Sequence, residues 1–514
     1  MKLNYKRTIL VGFAFFLICA FWQAYDNTIP LTLTNKFGMS QGWSGVVMAL
    51  DNILALVLLP LFGGISDRHN GKHGRRTPFI VVGTVLAAVA FVALSFVDNM
   101  QLAKLGQVSQ IDNPAALQTI YESQSGSTLK TPEGESFVLE EKYTLEQFQA
   151  ISSDHVDEMG KKGTEYNNYV VPARQAHAWQ VTAQNPGTLV LFVGLLLVVL
   201  VSMAIFRSPA VALMPDVTMK PLRSKANAVI NLMGTAGGML VLGLGMVFAT
   251  SAVRNSMMSY SVFYIVVATL MLIALTVFLL TVREKRWAEQ MRLDSQTYGI
   301  DEREAETSSH QKLDKGQRRS LAFLLISIVM WFFGYNAVTS KYSVYASNIL
   351  NKDYNTTLLL AQVAAIISYL PVGMIASKVG RKKTILAGIV MLGVAFGAAA
   401  FMRADSSTMV MNVLFALAGI GWATINVNSF PMVVEMCSGS DIGKYTGYYY
   451  AASMAAQVAT PMVSGFLMDS FGMTVLFPYA AVFVAIAFVT MLFVLHGDSK
   501  VESKKGLEAF DIED

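Results

Sequence analysis

Apolar runs of about 20 residues recur along this chain, and each is long enough to cross a bilayer as a helix. Windows near 8–33, 43–66, 78–98, 187–213, 226–250, 259–283, 320–346, 356–376, 384–402, 409–435, 444–468 and 473–496 read as twelve spans. Only 14% of the 514 residues are charged, against about 25% in soluble domains. The basic stretch Met1 to Arg7 leads into an apolar run with no small-residue cleavage site. It is therefore read as a retained first span rather than a signal peptide. Cys19 and Cys437 fall in or beside spans and form no CxxC, so neither a disulfide scaffold nor dithiol chemistry is expected.

Between the second and third runs lies PLFGGISDRHNGKHGRRTP, Pro60 to Pro78, a tight basic turn with Gly63, Gly64, Asp67, Arg68, Lys72, Gly74, Arg75 and Arg76. A weaker copy follows the eighth run: Gly373, Ser377, Lys378, Gly380, Arg381, Lys382, Lys383 and Thr384. The same hairpin in each half predicts an all-α membrane protein of twelve transmembrane helices in two pseudo-symmetric six-helix bundles. The expected division is 1–283 (first bundle, with an insert at 99–186), 284–319 (aqueous linker), 320–496 (second bundle) and 497–514 (tail). Basic turns stay cytoplasmic, and Lys220, Arg223 and Lys225 fall on the same side, which puts both termini and the linker inside and the insert outside. The insert is rich in acids (Glu133, Glu135, Glu140, Glu141, Asp154, Asp157, Glu158), and is read either as a mobile polar loop or as a small cap, helical near 143–159.

The hairpin resembles that of the major facilitator superfamily, whose second loop reads Gly, three residues, Asp, then Gly-Arg-Arg or Gly-Arg-Lys. SDRHNGKHGRRTPFI (Ser66 to Ile80), LMPDVTMKPLRSKANAV (Leu213 to Val229) and KYTGYYYAASMAAQVATPMVSG (Lys444 to Gly465) are similar to the sucrose-transporter-like, glycoside–pentoside–hexuronide cation symporter branch. The resemblance implies the major facilitator fold and uptake of a disaccharide or glucoside, sucrose- or maltose-like, driven by protons in preference to sodium. The animal branch has an acid in span one at about Asp26. Plant members carry an arginine just before the segment that begins here at Ala212, where this chain has Val211, with Arg207 four residues earlier.

An ionisable side chain at the bilayer centre costs at least about 2.5–3.5 kcal/mol, so such groups line cavities or ion paths. Asp26 and Asp51 are the expected proton-coupling residues; Asp216 and Glu435, near span ends, are expected to be structural. A carboxyl group away from bulk water can take up and release a proton during a transport cycle. Arg207 is expected to pair with Asp216 or to donate to a sugar hydroxyl, and Lys341 to snorkel outward. Polar stripes occur at helical spacing on span five (Asn227, Asn231, Thr235), span seven (Asn336, Thr339, Ser340, Ser343), span ten (Trp422, Asn426, Ser429) and span eleven (Tyr449, Ser453, Gln457, Thr460). With Trp22, Trp331 and Trp422 they predict a polar, mostly uncharged sugar cavity. Gly63, Asp67, Arg68, Gly74, Arg75, Arg76, Gly380 and Arg381 are expected to form a conformational latch, with Gly63 and Gly64 letting helices approach closely.

No phosphate loop, metal-spaced His/Cys cluster or nucleophile elbow is present, so neither enzymatic activity nor a cofactor is expected; His69 and His73 sit among bases, a poor metal environment. The net charge of +4 resides in the turns and does not indicate nucleic-acid binding. A monomer in the cell membrane is expected. Two other readings stay open: an exporter of amphipathic organic compounds, and a membrane sensor using the insert.

Overall fold

The computed structural model describes residues 3–111, 113–153, 163–219, 222–251, 257–298, 314–434 and 442–496. Its helices in chain order are α1 (Tyr5–Leu31), α2 (Gln41–Arg68), α3 (Thr77–Leu105), α4 (Pro114–Gln124), α5 (Leu139–Lys142), α6 (Leu145–Gln149), α7 (Val171–Gln184), α8 (Gly187–Val217), α9 (Arg223–Val247), α10 (Ser261–Thr281), α11 (Glu284–Thr297), α12 (Lys315–Tyr345), α13 (Tyr354–Val379), α14 (Arg381–Ala399), α15 (Thr408–Val434), α16 (Ile442–Phe471) and α17 (Leu476–Leu492). Among the described residues, 11 helices are long and apolar enough to cross a membrane. The remaining expected span, 356–376, is the 26-residue α13. Glu435 and Cys437 lie outside the described residues.

Side chains accept the free N–H groups at several helix starts: Ser40 for α2, Asp314 for α12 and Asp353 for α13. The first long helix of each half ends in a five-residue π turn, Thr32–Lys36 after α1 and Ala346–Leu350 after α12. Those turns meet: Asn35 Nδ2 donates to Asn348 Oδ1 at 3.3 Å, and Asn348 Nδ2 to Asn35 Oδ1 at 2.8 Å. One apolar core draws its members from Val11 to Trp287, the other from Leu321 to Val494 together with Leu31. Outward-facing Val89, Val190, Val262 and Ile367 are more than half exposed, as suits side chains that face lipid.

The insert is a packed cap. Val108, Leu117, Ile120, Leu129, Leu139, Phe148, Ile151, Tyr166 and Val170 form a core of its own. It includes a small hairpin, β1 (Thr128–Lys130) paired antiparallel with β2 (Ser136–Val138). In the stretch expected to be helical, 143–159, helix covers Leu145–Gln149; residues 154–162 lie outside the described set. At the start of the expected linker, one face of α11 packs on the first core while Lys285, Arg286, Glu289 and Arg292 stay exposed. Trp287 is buried there under the Arg7 guanidinium, 5.4 Å from the ring centroid, and Arg7 Nη2 donates to Gln290 Oε1 at 2.8 Å. The stretch 299–313 and the tail from 497 lie outside the described residues.

The halves touch at the end that carries the insert. A Cβ on Gly42, Gly45 or Gly465 would strike the opposing one of α2 and α16, whereas one on Gly64 or Gly447 would meet nothing within 4 Å. Gly64 thus does not mediate the close approach expected of it, while a Cβ on Gly63 would meet Ser208 Oγ on α8. Helices α2 and α16 are pressed together at the insert end. Bonds across the seam hold the closed end: Asp469 Oδ1 and Oδ2 accept from Gln41 N and Gly42 N, both at 2.8 Å, and Ser251 Oγ donates to Asp353 at 2.5 Å. Tyr354 OH donates to Thr250 Oγ1 at 2.8 Å, and Ser347 Oγ to Ser251 O at 2.9 Å.

Candidate functional site

On α1, Trp22 and Asp26 are one turn apart and share a face. The Arg207 guanidinium, from α8, stands over the Trp22 ring at 5.8 Å from its centroid. Asp26, Asp51 on α2 and Arg207 are close enough to interact through space. As whole residues, Asp26 and Asp51 are half-buried. Asp51 accepts from its neighbour's Asn52 N at 2.6 Å and Nδ2 at 2.8 Å. The expected Arg207–Asp216 pair does not form, because two other arginines hold Asp216. Buried Trp22 Nε1 and Tyr25 OH have no hydrogen-bond partner, a state that costs about 1–3 kcal/mol per group unless a ligand or water completes it.

The second half offers an aromatic and amide wall. Tyr335 stacks on Trp422 at 3.6 Å and 3°, with Phe332 edge-on at 5.2 Å. Asn336 Nδ2 is buried without a partner. Half-buried Thr339 and Ser340 donate to carbonyls of their own helix, Asn336 O and Ala337 O, both at 3.3 Å. Asn231, Asn426 and Gln457 are also half-buried. Between the halves Gln362 Nε2 donates to Gln23 Oε1 at 2.7 Å, leaving Gln362 Oε1 buried and unpaired.

Six residues expected at the cavity are buried in the second half: Trp331, Ser343, Ser429, Tyr449, Ser453 and Thr460. Tyr449 and Ser453 are buried, Tyr449 OH sharing a 3.3 Å hydrogen bond with Ser429 Oγ and Ser453 Oγ donating to Tyr450 O at 3.1 Å. Trp331 is 1% exposed in the second core. Lys341 does not snorkel: it is fully buried and its Nζ donates to Gln41 O at 2.6 Å, across the seam.

At the hairpin, Arg75 grips Asp216 with two bonds, Nη2 to Oδ1 at 2.5 Å and Nε to Oδ2 at 3.1 Å. Arg76 reaches Asp216 Oδ2 through Nε at 2.8 Å, Ser66 Oγ through Nη1 at 2.6 Å and Asp67 through Nη2. Burial by itself would ease the proton off Arg76, but Asp216 and Asp67 more than offset this and hold its guanidinium above its ordinary range. Glu284 Oε1 accepts Arg75 N at 2.7 Å and Arg76 N at 2.9 Å, and Oε2 accepts Thr77 N at 2.7 Å. This carboxylate caps the N-terminus of α3, where helix N–H groups are otherwise unpaired. Gly74 turns the chain at φ +111° directly against it. Arg68 is exposed, Gly380 has φ +98° at the start of α14, and Arg381 is 8% exposed.

A family model described as Major Facilitator Superfamily matches residues 178–368 and 353–511, and one described as MFS/sugar transport protein matches 10–110. The chain belongs to the major facilitator superfamily. It is a multi-pass membrane protein, and the superfamily's folds are its structural neighbours. The inward open xylose transporter XylE from E. coli superposes with a TM-score of 0.57 at 14% identity, covering 99% of each chain. An inward-facing bacterial homologue of the iron transporter ferroportin gives 0.57 at 12%, covering 96% of this chain and 100% of that one.

Among facilitator relatives, the MFS-type transporter ppzB of Metarhizium rileyi is 27% identical over 136 residues, 26% of this chain and 28% of that protein. Sucrose transport protein SUC4 of Arabidopsis thaliana is 30% identical over 74 residues, 14% of each chain. The putative glycoside/cation symporter YagG of Escherichia coli is 34% identical over 68 residues, 13% of this chain and 15% of that one. Each alignment spans less than a third of the relative's length.

The facilitator fold also contains an ion pair that the sequence reading passed over. Lys36, in the π turn after α1, donates to both oxygens of Asp98 on α3 at 2.7 and 2.6 Å and to Met258 O at 2.7 Å. Its Nζ lies 4.0 Å from the Tyr260 ring centroid, and the two charged side chains are 0% and 2% exposed. Glu284 and the Gln23–Gln362 pair were passed over too. The amides carried a usable signal, being intramembrane polar groups in apolar runs; Glu284 carried none, since it opens a charged stretch.

Proposed function

We propose that this facilitator takes up a disaccharide or glucoside of the sucrose or maltose kind together with a proton, across the cell membrane, as a monomer with both termini cytoplasmic. Two bundles, 1–283 and 320–496, rock about the central passage; with the insert outside, the geometry described is inward-facing. The supporting observations are two groups of aromatic and polar side chains, Trp22, Asp26, Asp51 and Arg207 in the first half and Tyr335, Asn336 and Trp422 in the second, which this reading places on facing sides of the passage. Aromatic faces suit the C–H faces of a pyranose, and the amides and hydroxyls suit its hydroxyl groups. The unpaired buried atoms Trp22 Nε1 and Asn336 Nδ2 are donors from the two halves that a sugar oxygen would complete. Local similarity to sucrose transport proteins and to a putative glycoside/cation symporter points the same way.

In this reading Arg207 links the two solutes. With Asp26 or Asp51 ionised, the guanidinium is drawn to the carboxylate; once a proton neutralises that charge, Arg207 turns to a sugar hydroxyl. Loaded together, both solutes allow the passage to close outside and open inside. Gly63, Asp67, Arg75 and Arg76 hold the hairpin in its inward-facing form, with Gly380 and Arg381 at the matching place in the second half.

The test is uptake of labelled sucrose and of labelled maltose into proteoliposomes with an imposed inward proton gradient. Accumulation of one sugar above equilibrium, abolished by a proton ionophore, is expected. No accumulation of either, with transport of amphipathic organic compounds instead, would replace symport with export.

A further inference from the structure

The insert belongs by chain connection to the first half, yet its hairpin rests on the second. Its root is fixed to the first half through α7: Gln175 Nε2 donates to Asn35 Oδ1 at 2.9 Å, and Gln101 Nε2 donates to Thr182 Oγ1 at 3.0 Å. A Cβ on Gly38 would collide with the α7 backbone at Gln175 and Trp179. The tip between β1 and β2 reaches over to the turn joining α16 and α17. There Thr474 N donates to Pro132 O at 3.2 Å, and Lys130 Nζ donates to Asp469 O at 3.1 Å and Ser470 O at 3.3 Å. Arg403 Nε, in the turn after α14, lies 3.6 Å from Glu133 Oε1.

The two turns meet backbone to backbone. Gly134 at φ +89° and Gly472 at φ +98° face each other so closely that a Cβ on either would strike the other turn's main chain. Asp469 works on both sides of this junction, because its carboxylate takes Gln41 N and Gly42 N while its carbonyl takes Lys130. These bonds cross the same seam as those at Asn35, Gln41, Thr250 and Ser251. An outward-facing state must part α2 from α16 at that end, and the tip spans the parting surfaces.

The geometry points to the insert as a strap that fastens the insert end shut, so that it must let go of the 469–474 turn before this face can open. The inference rests on the rocking motion proposed above, but its test reads geometry and needs no substrate. Ser347, 1% exposed and bonded across the seam, serves as reporter once changed to cysteine in a Cys19→Ser, Cys437→Ser background, in nanodiscs, with a hydrophilic maleimide. Removing the Lys130 and Thr474 bonds with Lys130→Ala and Thr474→Pro is expected to speed labelling of Ser347→Cys at least fivefold. Tethering Glu133→Cys to Arg403→Cys with a cleavable bis-maleimide, before maleimide labelling, is expected to slow it at least fivefold, with recovery on cleavage. The tether replaces the exposed Glu133–Arg403 pair with a covalent link and leaves the Lys130 and Thr474 bonds intact, so it decides the matter even if Thr474→Pro fails to fold. Labelling unmoved by the tether, or a tether that does not form, would overturn the strap. Uptake of no sugar at all would overturn the sugar-uptake reading and leave these labelling outcomes standing.

Discussion

Changing Asp98 to Asn strands a lysine in the protein interior, and the structure sets the size of the effect. Lys36 Nζ spends its donors on Asp98 and on Met258 O, and neither charged side chain has more than 2% exposure. Removing one partner of a buried pair costs about 3–5 kcal/mol, because the remaining charge keeps its desolvation penalty and loses its counter-charge. Glu133–Arg403 is the same chemistry in water: at 55% and 42% exposure and 3.6 Å it is worth about 0–1 kcal/mol. Asp98→Asn should therefore destabilise several times more than Glu133→Gln. Adding Lys36→Met to Asp98→Asn should recover more than half of the loss, since the stranded charge is then gone. Thermal unfolding in nanodiscs, followed by tryptophan fluorescence, ranks the four proteins. An Asp98→Asn loss no larger than that of Glu133→Gln, or a double variant worse than the single, would show that Lys36 and Asp98 do not depend on each other for their burial.

Asp216→Asn should loosen the Arg75–Arg76 hairpin at a cost of about 2–3 kcal/mol, read as increased proteolysis between Arg68 and Arg76. Gly45→Leu should force α2 from Pro461 on α16 and raise labelling of Ser347→Cys; unchanged labelling in folded protein would show that the helices part elsewhere. Asp353 supplies a pH test: burial disfavours its charge, but Ser251, Thr356 and Asn355 outweigh this and hold its carboxyl below the ordinary 3.8. Its contribution to the seam is then complete above pH 3.8 and lost as pH falls through the lower folded value. The stability gap between the parent and Asp353→Asn should stay constant from pH 7 to about pH 4 and shrink below that; a gap that closes near pH 6 would contradict the assignment.

The spans and the basic hairpin were legible because long apolar runs and clustered charge are signals that neighbours cannot mask. Within that hairpin Asp67 pairs with Arg76. Which face a polar stripe presents was not legible: the period that aligns Tyr449 with Ser453 is the same whether the stripe lines a passage or joins two helices. Lys36 and Asp98 escaped because each sits at an expected span edge, where charge reads as solvated; the π turn and the insert extend the protein over them. Glu284 was taken for linker since its partners, the α3 N–H groups, become neighbours only in the folded chain.

The claim that proton and sugar share one passage is tested most directly by measuring both fluxes at once, with a pH dye and labelled sugar in the same proteoliposomes. Adding sugar is expected to draw protons inward in the parent, while Asp26→Asn exchanges sugar with neither proton flux nor accumulation. Sugar-evoked proton entry undiminished in both Asp26→Asn and Asp51→Asn would contradict it.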